Sequence, residues 1–372
     1  MGYYEQFQRI DTDKIRSAIE QATPAQVERV LTKSSLAPED LPVLFSPAAD
    51  RFLETMAQKS AAITERRFGK VIQLYAPLYL SNECCNHCVY CGFSKNNDTP
   101  RVTLTPDQAQ REGELLAEEG FRHLLLVSGE SPRHVGYHYL TEIIRRMNQL
   151  FSSIALEIFP LDEEGYRRMG EAGVDALALY QETYEPALYR ELHPKGPKRD
   201  FGSRLDAHDR AGRAGYRSLG IGSLLGLSDW RYEAVMLALH GRYLTRTYWK
   251  SRVAVSFPRM RSATGAFTVP HPVSDREMVQ MLCGLRLVLP DAEMVVSTRE
   301  DAAFRDNLIG LGVTRMSAGS KTNPGGYGEQ SESAKQFEIE DARTPEQVAQ
   351  VIIAKGHEPV WKDFDRTFLN AK

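Results

Sequence analysis

The 372-residue sequence predicts an α/β fold, a (β/α)8 TIM-type barrel with an N-terminal helical extension and a C-terminal extension packed on the barrel. Three observations carry this. From Val71 onward, short continuously apolar runs alternate with longer amphipathic stretches, the pattern of a parallel sheet buried on both faces. Eight such runs over this length fit a closed barrel better than an open sheet. Each run ends in polar or glycine chemistry, as expected where strand C-termini share one functional mouth.

Residues 1–70 read as helical. An amphipathic stretch covers 13–21, Thr23-Pro24 opens a second helix with a hydroxyl cap and Pro at the first helical position, and 36–45 reads as a third. Ser46-Pro47 caps a longer helix reaching Phe68, whose apolar stripe includes Phe52, Leu53, Met56 and Ile63. The barrel, residues 71–322, has strand-like runs at 71–80, 122–127, 154–159, 176–180, 218–221, 253–257, 294–297 and 315–317. Helical patterns at 106–119, 140–150, 203–214 and 274–289 fall between them. Residues 323–372 form the C-terminal extension: a glycine-rich turn at Asn323-Pro324-Gly325-Gly326, a Ser/Gln/Glu-rich connection and a helix over 345–355. A structural role is the expectation for both extensions.

Composition narrows the function. A net charge of −3 offers no basic field for nucleic acid or an anionic membrane. No apolar run approaches the ~20 residues that span a bilayer, and Met1-Gly2-Tyr3-Tyr4 begins no signal-peptide pattern. Clustered cysteines suit a reducing, cytoplasmic compartment.

Four of the five cysteines fall in Cys84-Cys85-Asn86-His87-Cys88-Val89-Tyr90-Cys91. Cys84, Cys88 and Cys91 have the spacing C-x3-C-x2-C. Thiolates hold iron–sulfur clusters, and a cubane normally takes four. Three leave one iron open to a ligand, as in catalytic metal sites. A zinc site could use Cys84 or Cys85 with Cys88, Cys91 and His87, but such crowded ligands lack the paired knuckles of common zinc folds. A disulfide is disfavoured in a chain this large with so few cysteines. Using Cys85 would shift the register to C-x2-C-x2-C, so it reads as a bystander. Cys283 reads as a buried small hydrophobe, and His123 and His134 as ordinary satisfied or surface residues.

C-x3-C-x2-C with an aromatic residue before the last cysteine resembles the signature of radical S-adenosylmethionine (SAM) enzymes, in which SAM chelates the open iron of a [4Fe-4S] cluster. The likeness extends through Cys-Val-Tyr-Cys-Gly-Phe-Ser at 88–94, Tyr-Gln-Glu-Thr-Tyr at 180–184, Ser-Thr-Arg-Glu at 297–300, Ser-Ala-Gly-Ser-Lys-Thr at 317–322 and Pro-Val-Trp-Lys-Asp at 359–363. These segments are similar to the aromatic amino acid lyase branch, and most to the tyrosine lyases (2-iminoacetate synthases) of thiamine biosynthesis. Tyrosine lyases of hydrogenase maturation are related but carry additional C-terminal cysteines, and none follows Cys283 here. Tryptophan lyases are the other alternative within the branch.

The resemblance implies that Ser128, Gly129 and Glu130 receive the amino group of SAM, and that Gln181 and Glu182 meet its ribose. It further implies that Lys198 and Arg204 pair its carboxylate, that Gly222 and Gly226 flank its adenine, and that Tyr90 lines the pocket. An arginine at the inner mouth of a barrel is costly without an anionic partner, and its fork matches a carboxylate. Arg299, with Ser317 or Ser320, is therefore expected to hold the substrate carboxylate; the alternative is a fixed ion pair with Glu300 or Glu157. The implied reaction is Cα–Cβ cleavage of L-tyrosine to 2-iminoacetate and p-cresol through a 5′-deoxyadenosyl radical. The implied partners are the thiazole synthase ThiG, a sulfur-carrier protein, and an electron donor such as flavodoxin or ferredoxin.

Overall fold

Eight parallel strands close on themselves: β1 (Val71–Ser81), β2 (His123–Ser128), β3 (Ser153–Glu157), β4 (Ala176–Ala178), β5 (Ser218–Gly222), β6 (Arg252–Ser256), β7 (Glu293–Val296) and β8 (Arg315–Ser317). The computed structural model describes residues 2–265, 267–328 and 333–365. Each strand pairs with the next in sequence, and β1 completes the ring between β8 and β2. Its register runs from Leu74↔Met316 on one side to Leu78↔Leu126 on the other.

Side chains alternate across each strand. Leu74, Ala76, Leu78 and Leu80 of β1 face outward into the core shared with the helices. Tyr75 and Tyr79 face inward, where Ala155, Ala176 and Ala254 are too small to fill the barrel. Space therefore remains on the axis.

Five helices precede the barrel: α1 (Tyr3–Phe7), α2 (Thr12–Glu20), α3 (Pro24–Thr32), α4 (Leu41–Leu44) and α5 (Leu53–Phe68). Thr23 caps α3 through a reciprocal pair with Gln26, as its sequence predicts. Two expectations are corrected here. The segment 36–45 is not one helix but a 3-10 turn at Pro38–Asp40 followed by the single turn of α4, with Pro42 near its start. The helix expected from Ser46 begins instead as a 3-10 turn, Pro47–Phe52, because the Ser46 hydroxyl donates back to Val43 O and caps nothing.

Around the ring lie α6 (Pro106–Glu118), α7 (Tyr137–Met147), α8 (Glu163–Ala172), α9 (Pro186–Leu192), α10 (Phe201–Leu205), α11 (Ala207–Arg213), α12 (Trp230–Thr247), α13 (Asp275–Val288) and α14 (Ala302–Leu308). The single helix expected over 203–214 is divided into α10 and α11 at Asp206. Its carboxylate accepts a hydrogen bond from Tyr4 N at 2.7 Å, and Tyr3 N bonds Asp209 at 2.9 Å. The N-terminal segment thus binds at the break between the two helices.

The tail adds α15 (Pro345–Ala354) and a short strand, β9 (Glu358–Val360), which pairs with the first residues of β1. Trp361 lies edge-on to Phe121, and Asp363 sits 3.0 Å from His123. The tail therefore closes the barrel floor, opposite the strand C-termini. The Ser/Gln/Glu-rich connection begins at 329–332, outside the described residues. Among the described residues, no helix is long and apolar enough to cross a membrane.

Candidate active site

The cysteine loop leaves β1 and is held by its own backbone. Cys85 N donates to Glu130 O at 2.8 Å, His87 N to Lys195 O at 3.1 Å and Val89 N to Leu192 O at 3.1 Å. Arg101 secures the returning chain, donating to the carbonyls of Asn82, Phe93, Ser94 and Asn97. Gly129 is where the loop and the end of β2 come closest. A β-carbon there would meet Glu83 O at 2.4 Å, so only glycine fits.

The loop frames a recess of about 90 Å³. Cys84, Cys88 and Cys91 all line it, whereas Cys85 is exposed and lies outside it. Among the described residues, no three His, Cys, Asp or Glu side chains gather closely enough for a single metal ion. The thiols share a wall without converging on a point, which suits a polynuclear cluster better than one zinc. Burial pushes the Cys88 thiol up to about 12 and raises Cys91, each also opposed by its neighbouring thiol. A bound metal would favour the thiolate forms of Cys88 and Cys91 against this burial.

The opposite wall carries Ser128, Gly129, Glu130, Glu182, Lys198 and Arg204. Ser128 Oγ is buried there with no hydrogen-bond partner, an atom awaiting a ligand. The Glu130 carboxylate is already engaged, accepting from Asn86 Nδ2 at 2.5 Å, while Asn86 Oδ1 accepts from Lys198 N at 2.9 Å. Glu182 lies 2.6 Å from Lys198 and 3.5 Å from Arg204. Burial works against its charge, but Lys198 and then Arg204 outweigh this and hold the carboxyl below its usual range. Glu182 is also the one non-glycine residue at positive φ (70°) among those described, a strained backbone at the end of β4. With three thiols, an orphaned hydroxyl and a charged trio on one small recess, the residues present fit a [4Fe-4S] cluster and SAM.

Other expected cofactor residues are not on this wall. The Gln181 side chain is buried and its amide donates to Phe201 O at 3.3 Å. Gly222 packs against Ser256 O and the Tyr180 ring, and Gly226 (φ +111°) lies near Val269. Tyr90 joins an apolar patch with Leu192 and Leu224, its hydroxyl 2.7 Å from His193 Nε2. His193 Nδ1 faces Tyr189 O at 2.7 Å, so it donates there and Nε2 accepts from Tyr90.

A second cavity, about 50 Å³, lies deeper in the barrel and shares Val127, Glu157 and Tyr180 with the first. Arg299, Ser317 and Ser320 are on its wall, along with Tyr75 and Tyr79. Arg299 makes no ion pair among the described residues; it stacks on Phe337 at 3.3 Å from the ring centroid. Glu300, one of its considered partners, is instead bound by Arg259 and Arg261. Ser317 Oγ accepts from Thr298 N at 3.1 Å, while Ser320 Oγ is buried and unpartnered.

Sequence reasoning missed Asn86 and Arg101, which lie in the loop it singled out. It also gave Glu157 no ligand role, and no local pattern marks that residue beyond its place at a strand end. His123, His134 and Cys283 behave as expected: His123 is buried between Gln73 and Asp363, His134 meets Ser131 Oγ at 2.8 Å, and Cys283 is fully buried.

Comparison with known proteins agrees with this geometry. Residues 78–239 match the radical SAM superfamily, and residues 256–358 match the biotin and thiamin synthesis associated domain. The chain is 43% identical to the 2-iminoacetate synthase of Salmonella typhimurium, over 98% of this chain and 97% of the relative. It is 44% identical to the 2-iminoacetate synthase of Escherichia coli, over 98% and 97%. The crystal structure of HydG, a maturase of the [FeFe]-hydrogenase, superposes with a TM-score of 0.90 at 32% identity, covering 95% of this chain and 80% of that one. The HydG structure from Carboxydothermus hydrogenoformans gives 0.88 at 33%, covering 97% and 84%. A barrel with three thiols at its rim and likeness to these enzymes along its whole length is a radical SAM protein, and the chain belongs to the 2-iminoacetate synthase family of that superfamily.

Proposed function

We propose that this enzyme is a radical SAM carbon–carbon lyase that splits L-tyrosine between Cα and Cβ into 2-iminoacetate (dehydroglycine) and p-cresol, supplying the thiazole moiety of thiamine. The observation that carries this is identity of 43% and 44% to two 2-iminoacetate synthases over 98% of the chain. The barrel contributes two adjoining cavities, one walled by thiols and one by an arginine that has no ion pair among the described residues.

Cys84, Cys88 and Cys91 would hold the cluster, leaving one iron for SAM. Ser128, Gly129, Glu182, Lys198 and Arg204 would hold SAM against it. When bound, these groups supply the one-electron chemistry that removes a hydrogen atom from the substrate. Arg299 would fix the substrate carboxylate, with Ser317 or Ser320 completing the pocket through a hydroxyl. The narrow, tyrosine-lined barrel keeps water and other hydrogen donors from the reacting atoms. The thiazole synthase ThiG, a sulfur-carrier protein and a flavodoxin or ferredoxin are the proposed partners, in the cytoplasm.

A hydrogenase-maturation type of tyrosine lyase is the second reading, favoured by the HydG likeness at a TM-score of 0.90 but with identity only 32%. Anaerobic incubation of reconstituted, reduced enzyme with SAM and each aromatic amino acid tests substrate choice. p-Cresol from tyrosine is expected. An indole product from tryptophan with none from tyrosine would overturn the assignment.

A further inference from the structure

Glu157 ends β3 at the partition between the two cavities and lines both. Its carboxylate makes no hydrogen bond or ion pair among the described residues. That is unusual for a half-buried acid in a cavity that also holds an arginine. The nearby charges are Arg299 on the substrate side and Glu182, Arg204 and Lys198 on the cofactor side. Glu182, Lys198 and Arg204 satisfy one another. Glu157 and Arg299 are left: opposite charges facing one space, with Arg299 favouring the ionised form of Glu157, yet not within ion-pair distance.

An α-amino acid carries the complementary pair, a carboxylate and an ammonium on one carbon. A cation and an anion kept apart across a small cavity suit such a zwitterion better than they suit a fixed salt bridge. We propose that Glu157 is the acceptor for the substrate's α-amino group, working with Arg299 on the carboxylate to set the amino acid in one orientation. Because Glu157 also faces the thiol-walled recess, the amine would be held at the boundary between the two cavities. Burial pushes the free Glu157 carboxyl up to about 7, against the pull of Arg299. An incoming ammonium would favour the ionised form.

This inference rests on the tyrosine lyase reading, and ligands that lack one group at a time separate the two. Binding is measured calorimetrically, without turnover, on anaerobic cluster-loaded enzyme with SAM. The ligands are tyrosine, 3-(4-hydroxyphenyl)propanoate (no amine) and tyramine (no carboxylate). Glu157→Gln should weaken tyrosine and tyramine by roughly tenfold or more, the scale of a lost charged hydrogen bond, and leave the propanoate within about twofold of wild type. Arg299→Lys should weaken tyrosine and the propanoate but not tyramine. Glu157→Asp, which keeps the charge on a shorter stem, should retain part of the amine preference. An equal loss for all three ligands in Glu157→Gln, or no loss for any, overturns the role of Glu157. If wild type binds another amino acid in place of tyrosine, the lyase assignment fails, and the same comparison with that amino acid and its desamino analogue still decides Glu157.

Discussion

Side chains one position apart in the cysteine loop have different fates. Cys84 lines the recess and Cys85 is exposed, its amide tied to Glu130 O. Cys84→Ala should therefore abolish the visible iron–sulfur absorbance after reconstitution and with it SAM cleavage, whereas Cys85→Ala should keep both near wild type. Loss of the cluster in the second variant would place the ligand register wrongly. The spacing made the three proposed ligands legible from sequence, because these thiols sit within a few residues of one loop. Glu157 was not legible as a ligand residue. Its significance lies in what it does not touch, and that depends on where Arg299, Glu182 and Lys198 arrive from 182 onward in the chain.

Between β4 and α12 the decisive contact is again buried and charged. The Glu233 carboxylate on α12 accepts from Thr183 Oγ1 at 2.6 Å, Ser228 Oγ at 2.6 Å and Tyr184 N at 3.0 Å, with no cation nearby. It fixes the turn that keeps Glu182 in its left-handed conformation. Burial pushes the Glu233 carboxyl from 4.5 up to about 7, against these hydrogen bonds. Between those values the folded chain binds a proton that the unfolded chain has released, so stability falls as pH rises through the window. A tenfold difference in proton affinity is worth ~1.4 kcal/mol, so the fall is a few kcal/mol at most. Burial holds His193, His208 and His240 below the usual histidine range, and these pull the other way, so the Glu233 contribution is read as a difference: in urea unfolding of the apoprotein, the stability of wild type relative to Glu233→Gln should fall as pH rises through this window. An unchanged slope in the variant would show that the Glu233 carboxyl keeps an ordinary affinity for protons. Helix existence was readable from periodicity and caps, as at Thr23. Helix division was not: the break between α10 and α11 answers to Tyr4, which lies 202 residues away.

The barrel as a whole has a chemical end and a structural end. Thiols, the charged trio and Arg299 gather at the strand C-termini, while β9, Trp361 and Asp363 seal the floor. Trp361 packs on Phe121 and over Gly120 without reaching either cavity. Trp361→Ala should cost about 1–3 kcal/mol of stability, less than a fully buried aromatic. At a temperature where the variant is folded, its turnover should stay near wild type; a lowered turnover there would mean that the floor and the mouth are coupled. The same separation is why the tail gave no functional signal in the sequence.

By itself, the sequence determined the barrel and singled out the three thiols that line one recess. Strand and helix periods are local, and three thiolates on one loop form a local motif. It also indicated that polar chemistry would gather at one mouth, since every strand end carries it. Only the tertiary structure decided which of those groups are free. Barrel closure assigned Glu300 to Arg259 and Arg261, Glu130 to Asn86, and Glu182 to Lys198, leaving Arg299 and Glu157 without an ion pair among the described residues. A charge acquires its role from the opposite charges within a few ångströms of it, and in a closed ring those come from distant parts of the chain.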